Sequence, residues 1–96
     1  MTEVVEVRNL EDCLDGTIVR EFLLDGSLDR ETMRRLAAGG TLAFYESFPR
    51  PYFRIDLLGA VIQGVIGCGS FRATLPAASE RSLLGEVERR VSGRSR

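Results

Sequence analysis

The sequence predicts one small α+β domain, with two or three helices packed on one face of an antiparallel sheet of four or five strands. Short alternating stretches separated by glycine-bearing turns fill residues 41–75, which is typical of a β-meander. Helical patterns lie before and after this region, and such segregation in sequence is typical of α+β domains. We expect the domain to span residues 1–92 and residues 93–96 to form a frayed tail.

The chain length and composition agree with a single core. The chain has 96 residues, of which 44% are hydrophobic and 28% are charged. A domain of this size buries roughly two-thirds of the surface of its unfolded chain. It can therefore fold without a disulfide or a metal.

The first quarter of the chain contains the most ambiguous segment. Residues 3–8 alternate between apolar and charged side chains and predict a short strand, followed by a turn-rich connector over residues 9–16. Residues 17–25 hold two apolar pairs four positions apart, which favours a helix, but they begin with a β-branched run, which favours a strand. We predict the helix, with Asp15 as its N-cap and Gly26 at its end.

A second helix is predicted over residues 28–38. Ser27 precedes it as an N-cap candidate, acidic residues occupy its first turn, and Gly39-Gly40 ends it. Alternation then predicts strands over residues 41–46, 52–57, 60–66 and 70–75.

The last predicted element is an amphipathic helix after Pro76. Its apolar residues recur at helical spacing, Ser79 is a candidate N-cap, and Gly93 is a candidate stop. The predicted order is therefore β-α-α-β-β-β-β-α. If the helices cover one sheet face, the opposite face carries Arg54, Asp56, Arg72 and Thr74, with Gln63 as a candidate fifth member.

The residue types that are missing argue against catalysis. The chain contains no histidine, no lysine and no tryptophan, and all 13 basic residues are arginine. Without histidine, the chain cannot form a Ser-His-Asp or Cys-His nucleophile pair or an imidazole metal site. Without lysine, it has no P-loop phosphate clamp and no Schiff base. We therefore expect a protein that is not an enzyme and needs no cofactor.

Charge is distributed unevenly along the chain. Residues 1–31 hold nine carboxylates and three arginines, a balance of −6, whereas residues 32–96 hold five carboxylates and ten arginines, a balance of +5. Such asymmetry is typical of a chain whose halves contact each other or contact a second copy. It favours self-association, or binding to another protein.

Two cysteines, no secretory signal pattern and no apolar run of about 18 residues predict a cytoplasmic protein with free thiols and no membrane span. Arginines concentrate near the C-terminus, but glutamates lie among them and the isoelectric point is near 5.4. This composition argues against nucleic-acid binding.

The segment Phe48-Pro49-Arg50-Pro51-Tyr52-Phe53 is the most distinctive in the chain. Its two prolines restrict the backbone, so Arg50 is held in a stiff connector between aromatic residues. Arginine beside aromatics is suited to binding a carboxylate, a phosphate or a protein surface. We predict a partner-binding surface formed by Arg50, Tyr52, Arg54 and Arg72.

Two alternative sites have weaker support. Glu11, Asp12 and Asp15 lie in an acidic connector that offers oxygen ligands to a hard cation such as calcium, although the spacing does not match the helix-loop-helix calcium motif. Cys68 lies between two glycines and is a candidate reactive thiol, with no neighbouring base to activate it.

These observations predict a non-enzymatic binding or assembly module that forms a homo-oligomer or binds another protein. The alternative is a protein that binds a small ligand or calcium. A thiol enzyme that uses Cys68 and a nucleic-acid binder rank lower.

Overall fold

The computed structural model describes residues 2–47 and 49–93, which form a six-stranded antiparallel sheet and two α-helices. The strands are β1 (Val4–Asp12), β2 (Thr17–Leu24), β3 (Thr41–Tyr45), β4 (Tyr52–Leu57), β5 (Ala60–Val65) and β6 (Ser70–Pro76). The helices are α1 (Arg30–Ala37) and α2 (Glu80–Ser92), and a short 3-10 helix (Ala77–Ser79) precedes α2. The predicted α+β class is confirmed, with six strands in place of the four or five expected.

The strands lie in the order β1-β2-β6-β5-β4-β3. Strands β3 to β6 form the predicted meander, and the β1–β2 hairpin adds to it through β6. Helix α1 connects β2, inside the sheet, with β3 at the far edge. Helices α1 and α2 contact each other and the sheet, and the apolar side chains of the inner sheet face are buried with theirs.

The prediction of a helix over residues 17–25 is wrong, because this segment is strand β2. Alternate residues Ile18, Arg20 and Phe22 are buried, as expected for period-two alternation. Val19 and Leu23 are half-buried on the opposite face, so the strand carries apolar residues on both sides. Two apolar pairs four positions apart fit this two-sided strand as well as they fit a helical face.

The first strand is also longer than predicted. Strand β1 extends to Asp12, through the first half of the connector predicted over residues 9–16, because β2 supplies the cross-strand partner. Asp15 lies in the β1–β2 turn and caps no helix. Its carboxylate accepts hydrogen bonds from Oγ1 and the backbone N–H of Thr17, at 2.7 and 3.1 Å, and these bonds lower the pKa of Asp15.

Helix α1 begins two residues later than predicted and has a different cap. Asp29, not Ser27, holds the N-cap position, and its Oδ1 accepts a hydrogen bond of 2.8 Å from the backbone N–H of Thr32. Leu28, just before the cap, is almost fully buried. The hydrogen bond from Thr32 is the main reason that the pKa of Asp29 lies below its ordinary value of 3.8.

Replacing Asp29 with alanine is expected to lower the free energy of unfolding by about 1 kcal/mol at neutral pH. The lowered folded-state pKa means that the ionised cap stabilises the domain above the ordinary aspartate pKa. This stabilisation is lost as the pH falls through the folded-state value. An asparagine cap does not titrate, so urea unfolding of Asp29→Asn should show a smaller stability loss below pH 4 than the wild type. Equal acid sensitivity of the two proteins would contradict this role.

The C-terminal helix agrees with its prediction at the end and only partly at the start. Gly93 adopts a left-handed backbone with φ of 75° and ends α2. Ser79 holds the N-cap position, but its side chain makes no capping hydrogen bond. The remainder of the predicted tail, residues 94–96, lies outside the described residues. In the part of the chain that the structure describes, neither helix is long and apolar enough to cross a membrane.

Candidate functional site

The outer face of the sheet, opposite the helices, carries a line of polar side chains across four neighbouring strands. Glu21 on β2 pairs with Arg72 on β6, Arg72 pairs with Gln63 on β5, and Gln63 pairs with Arg54 on β4. We call these four residues the polar row. Because neighbouring strands lie about 4.8 Å apart, the Cα atoms of Arg54 and Arg72 are separated by about 10 Å.

An open depression of about 340 Å³ lies along this row. Its polar lining comes from β2, β4, β5, β6 and the β5–β6 turn. The lining includes Glu21, Tyr52, Gln63, Cys68, Ser70 and Arg72. The depression therefore combines hydroxyl, amide, carboxylate, guanidinium and thiol groups on a rigid sheet.

Hydrogen bonds between side chains fix much of this lining. The Gln63 amide donates to the Tyr52 hydroxyl over 3.0 Å, and the Ser70 hydroxyl donates to the Glu21 carboxylate over 3.2 Å. The Tyr52 ring also stacks on Tyr45, with 5.5 Å between ring centroids. These side chains are held in place before any ligand binds, which reduces the entropy lost on binding.

Arg72 differs from the other members of the row. Among the residues that the structure describes, its guanidinium has no hydrogen-bond or ion-pair partner, although Glu21 lies directly across the strand pair. By contrast, Arg54 lies 3.7 Å from the Asp56 carboxylate, and both of these side chains are about half exposed. Arg72 therefore lines the depression with a guanidinium whose N–H donors are available to a carboxylate or a phosphate.

The structure brings together three of the four residues predicted to bind a partner. Tyr52, Arg54 and Arg72 all lie on the outer sheet face, where the alternation of β4 and β6 placed them. Arg50 is exposed in the β3–β4 connection and does not line the depression. Phe48, part of the same predicted segment, lies outside the described residues.

Sequence reasoning missed Glu21 and Ser70 as members of this site. Glu21 was placed on a helix, so its position across from Arg72 was not expected. The β-branched run at residues 17–19 was the signal that could have placed Glu21 on a strand. Ser70 could be placed in a strand, but nothing in its own neighbourhood indicates that it bonds to Glu21.

The acidic residues predicted to bind calcium make other contacts. One carboxylate oxygen of Asp12 lies 3.3 Å from the Arg20 guanidinium, and Asp15 accepts hydrogen bonds from Thr17. Within residues 2–47 and 49–93, no three His, Cys, Asp or Glu side chains are grouped so that they could hold a metal ion. The cation site that includes Glu11 stays a prediction.

Both cysteines are free and half-buried. Cys68 lies in the β5–β6 turn and lines the depression, whereas Cys13 lies in the β1–β2 turn. The Cys68 carbonyl accepts a hydrogen bond of 2.7 Å from the Leu28 N–H, which ties this turn to the segment that enters α1. Because Cys68 lines the depression, the reactivity of its thiol should change when a ligand binds there.

A comparison with family models found no matching family, and comparisons with curated proteins and with solved structures found no significant match.

Proposed function

We propose that this domain is a non-enzymatic binding module whose outer sheet face binds an acidic segment of a partner protein. The observation that carries the proposal is the Arg72 guanidinium, which has no hydrogen-bond or ion-pair partner among residues 2–47 and 49–93 and lines a depression whose other polar groups are hydrogen-bonded. The free cysteines also support a location in the reducing cytoplasm.

The guanidinium of Arg72 favours a carboxylate as its ligand, while the Glu21 carboxylate lies across the strand pair in the same depression. The planar guanidinium can bind a carboxylate through two parallel N–H donors, which a lysine cannot do. Gln63 and Tyr52 lie beside it and provide further polar contacts. Because Ser70 holds the Glu21 carboxylate, one wall of the depression is acidic, and a carboxylate of the partner is excluded there.

Arg54 provides a second cationic contact on the same face. Its ion pair with Asp56 is long and solvent-exposed, so the pair contributes little and can exchange for a carboxylate of the partner. A segment whose carboxylates lie about 10 Å apart matches the two arginines across Gln63. Tyr45 and Tyr52 extend this surface with stacked rings, which are well suited to peptide contact.

Arg72→Gln is expected to weaken the binding of acidic peptides roughly ten- to hundredfold, because a hydrogen bond to a charged group contributes about 1.5–3 kcal/mol. The measurement is fluorescence anisotropy with a library of glutamate-rich peptides and the same library with glutamine in place of glutamate. Arg81→Gln is the matched control. Arg81 is exposed on α2, so this substitution removes the same charge from the helical side of the domain and leaves the outer sheet face unchanged.

The alkylation rate of Cys68 gives a second readout. A bound peptide should slow iodoacetamide modification of Cys68 and leave that of Cys13 unchanged, because only Cys68 lines the depression. Three results would each overturn the proposal: equal binding of the glutamate and glutamine peptides, equal loss in the Arg72 and Arg81 variants, or protection of Cys13 alone.

A further inference from the structure

The two edges of the sheet differ in how they resist pairing with another strand. Strand β1, at one edge, contains several charged residues, and its register with β2 shifts at two places. Charges and irregularities of this kind keep an edge strand from pairing with other chains. Strand β3, at the other edge, has the sequence Thr-Leu-Ala-Phe-Tyr, with no charged residue and with a regular register against β4.

The register identifies which backbone groups of β3 face outward. The β4–β5 turn is Leu58-Gly59, with φ of 53° and 84°, and it closes on the Leu57–Ala60 pair. In such two-residue hairpins the closing pair is hydrogen-bonded, and hydrogen bonding then alternates along the strand. The N–H of Ile66 donates to the Pro51 carbonyl, which agrees with odd residues of β4 facing β5.

The backbone N–H and C=O groups of the even residues of β4 therefore point toward β3. They form hydrogen bonds with their register partners Thr41, Ala43 and Tyr45. The backbone groups of Leu42 and Phe44 consequently point away from the sheet, toward solvent. In addition, 37% of the Leu42 surface and 44% of the Tyr45 surface is exposed. The edge thus offers outward-facing backbone groups together with exposed apolar and aromatic side chains.

Strand β3 is complementary to a reversed copy of itself. In an antiparallel pair centred on Ala43, Leu42 of each copy lies opposite Phe44 of the other. These are the residues whose N–H and C=O groups face outward, so the pair forms four backbone hydrogen bonds. Leu42 and Phe44 lie on the inner sheet face, because they pair with Ile55 and Phe53 of β4, so apolar side chains meet across the junction.

We propose that two copies of this chain form a symmetric dimer in which the β3 strands pair antiparallel about Ala43 and make one continuous sheet. The occupant is a second copy because the uncharged strand places Leu42 opposite Phe44 of a reversed copy, and because the other edge is charged and irregular. The dimer leaves the outer face of each sheet open. It therefore does not depend on the acidic-segment function proposed above.

Cysteine cross-linking tests this register. In a Cys13→Ser/Cys68→Ser background, Ala43→Cys places two thiols at the two-fold axis in a non-hydrogen-bonded pair, with Cα atoms about 4.5 Å apart, which is within disulfide range. Thr41→Cys is the matched control. In the proposed dimer the two residues at position 41 are offset by four residues along the paired strands, so their Cα atoms lie about 13 Å apart. This distance is too long for a disulfide.

The expected result is rapid, near-complete cross-linking of Ala43→Cys and little cross-linking of Thr41→Cys in the folded protein. Equal rates for the two variants would overturn the proposal. Native mass spectrometry should also show a species of twice the 10.6 kDa chain mass. A wild-type protein that stays monomeric up to roughly 1 mM, the range of the weakest specific complexes, would overturn it as well.

A charge on the edge gives an independent measure. Leu42→Lys should weaken dimerisation at least tenfold, because it places two like charges beside the junction. Val5→Lys makes the same type of change on β1, where the replaced side chain is 63% exposed, and should leave the dimer unchanged. A dimer weakened equally by both variants, or by Val5→Lys alone, would place the interface elsewhere and contradict the proposal.

Discussion

Replacing Gly40 with alanine is expected to destabilise the domain by about 3 kcal/mol, at the upper end of the range for overpacked sites. A Cβ atom on Gly40 would lie 2.4 Å from the backbone carbonyl oxygen of Asp56 and 3.2 Å from the Leu57 side chain. The carbonyl oxygen belongs to strand β4 and cannot rotate away as a side chain would. Strand β3 must therefore separate from β4 at its first residue pair, Thr41–Asp56. Urea unfolding with far-ultraviolet circular dichroism measures the loss.

Gly39 provides the control for this prediction. Its backbone has φ of 82°, and a Cβ atom there meets no atom within 4 Å. Gly39→Ala therefore tests left-handed strain alone, which costs about 1–2 kcal/mol. If the loss in Gly39→Ala equals or exceeds that in Gly40→Ala, close approach to Asp56 is not what requires glycine at position 40.

The Gly40→Ala substitution also connects the stability of the domain with its proposed dimerisation. Gly40 positions the beginning of β3, and β3 is the strand proposed to pair between copies. A displaced β3 should slow the cross-linking of Ala43→Cys even under conditions where the domain remains folded. Stability and dimerisation are thus expected to be coupled at Gly40 and uncoupled at Gly39.

The meander could be predicted closely because its signals are local. Residues 52–57 were predicted as a strand and form β4 with the same bounds, since alternation along six residues is enough to define both faces. The turn Leu58-Gly59 follows at once and sets the register of the next strand. The same alternation placed Arg54 and Arg72 together on the outer face before any contact was known.

The sheet order could not be predicted, because it depends on contacts between distant residues. Strand β2 pairs with β6, about 50 positions later in the sequence, and no local pattern identifies that partner. The incorrect helix over residues 17–25 has the same origin. Period-two alternation with apolar residues on both faces becomes distinguishable from a helix only when β1 and β6 are known to lie on either side.

Arg20 is the residue that sequence reasoning had least chance of identifying. It is 5% exposed on the inner sheet face. Its Nε atom lies 3.0 Å from the Glu80 carboxylate at the start of α2, and its terminal nitrogens lie 3.3 Å from the Asp12 carboxylate at the end of β1. The same side chain donates a hydrogen bond of 3.1 Å to the Val19 carbonyl. One buried guanidinium thus connects the end of β1, the backbone of β2 and the beginning of α2.

Arg20→Ala is expected to lower the free energy of unfolding by about 3 kcal/mol, through lost charge-assisted hydrogen bonds and a cavity on the inner face. The two carboxylates are partly exposed and return to water, so the loss stays below that of an ion pair whose partners are both fully buried. Thermal and urea unfolding measure it.

Two further variants separate the causes of this loss. Arg8→Ala removes an arginine from β1 whose ion pair with Glu6 is 55% exposed on both sides, and it should change stability by less than about 0.5 kcal/mol. Arg20→Met keeps the length of the buried side chain and removes the charge. If packing of the aliphatic part of the Arg20 side chain accounts for most of the loss, Arg20→Met should retain most of the stability that Arg20→Ala loses. If Arg20→Met is as unstable as Arg20→Ala, the hydrogen bonds to Glu80, Asp12 and the β2 backbone account for it. A loss in Arg20→Ala no larger than that in Arg8→Ala would show that this buried cluster contributes nothing to folding.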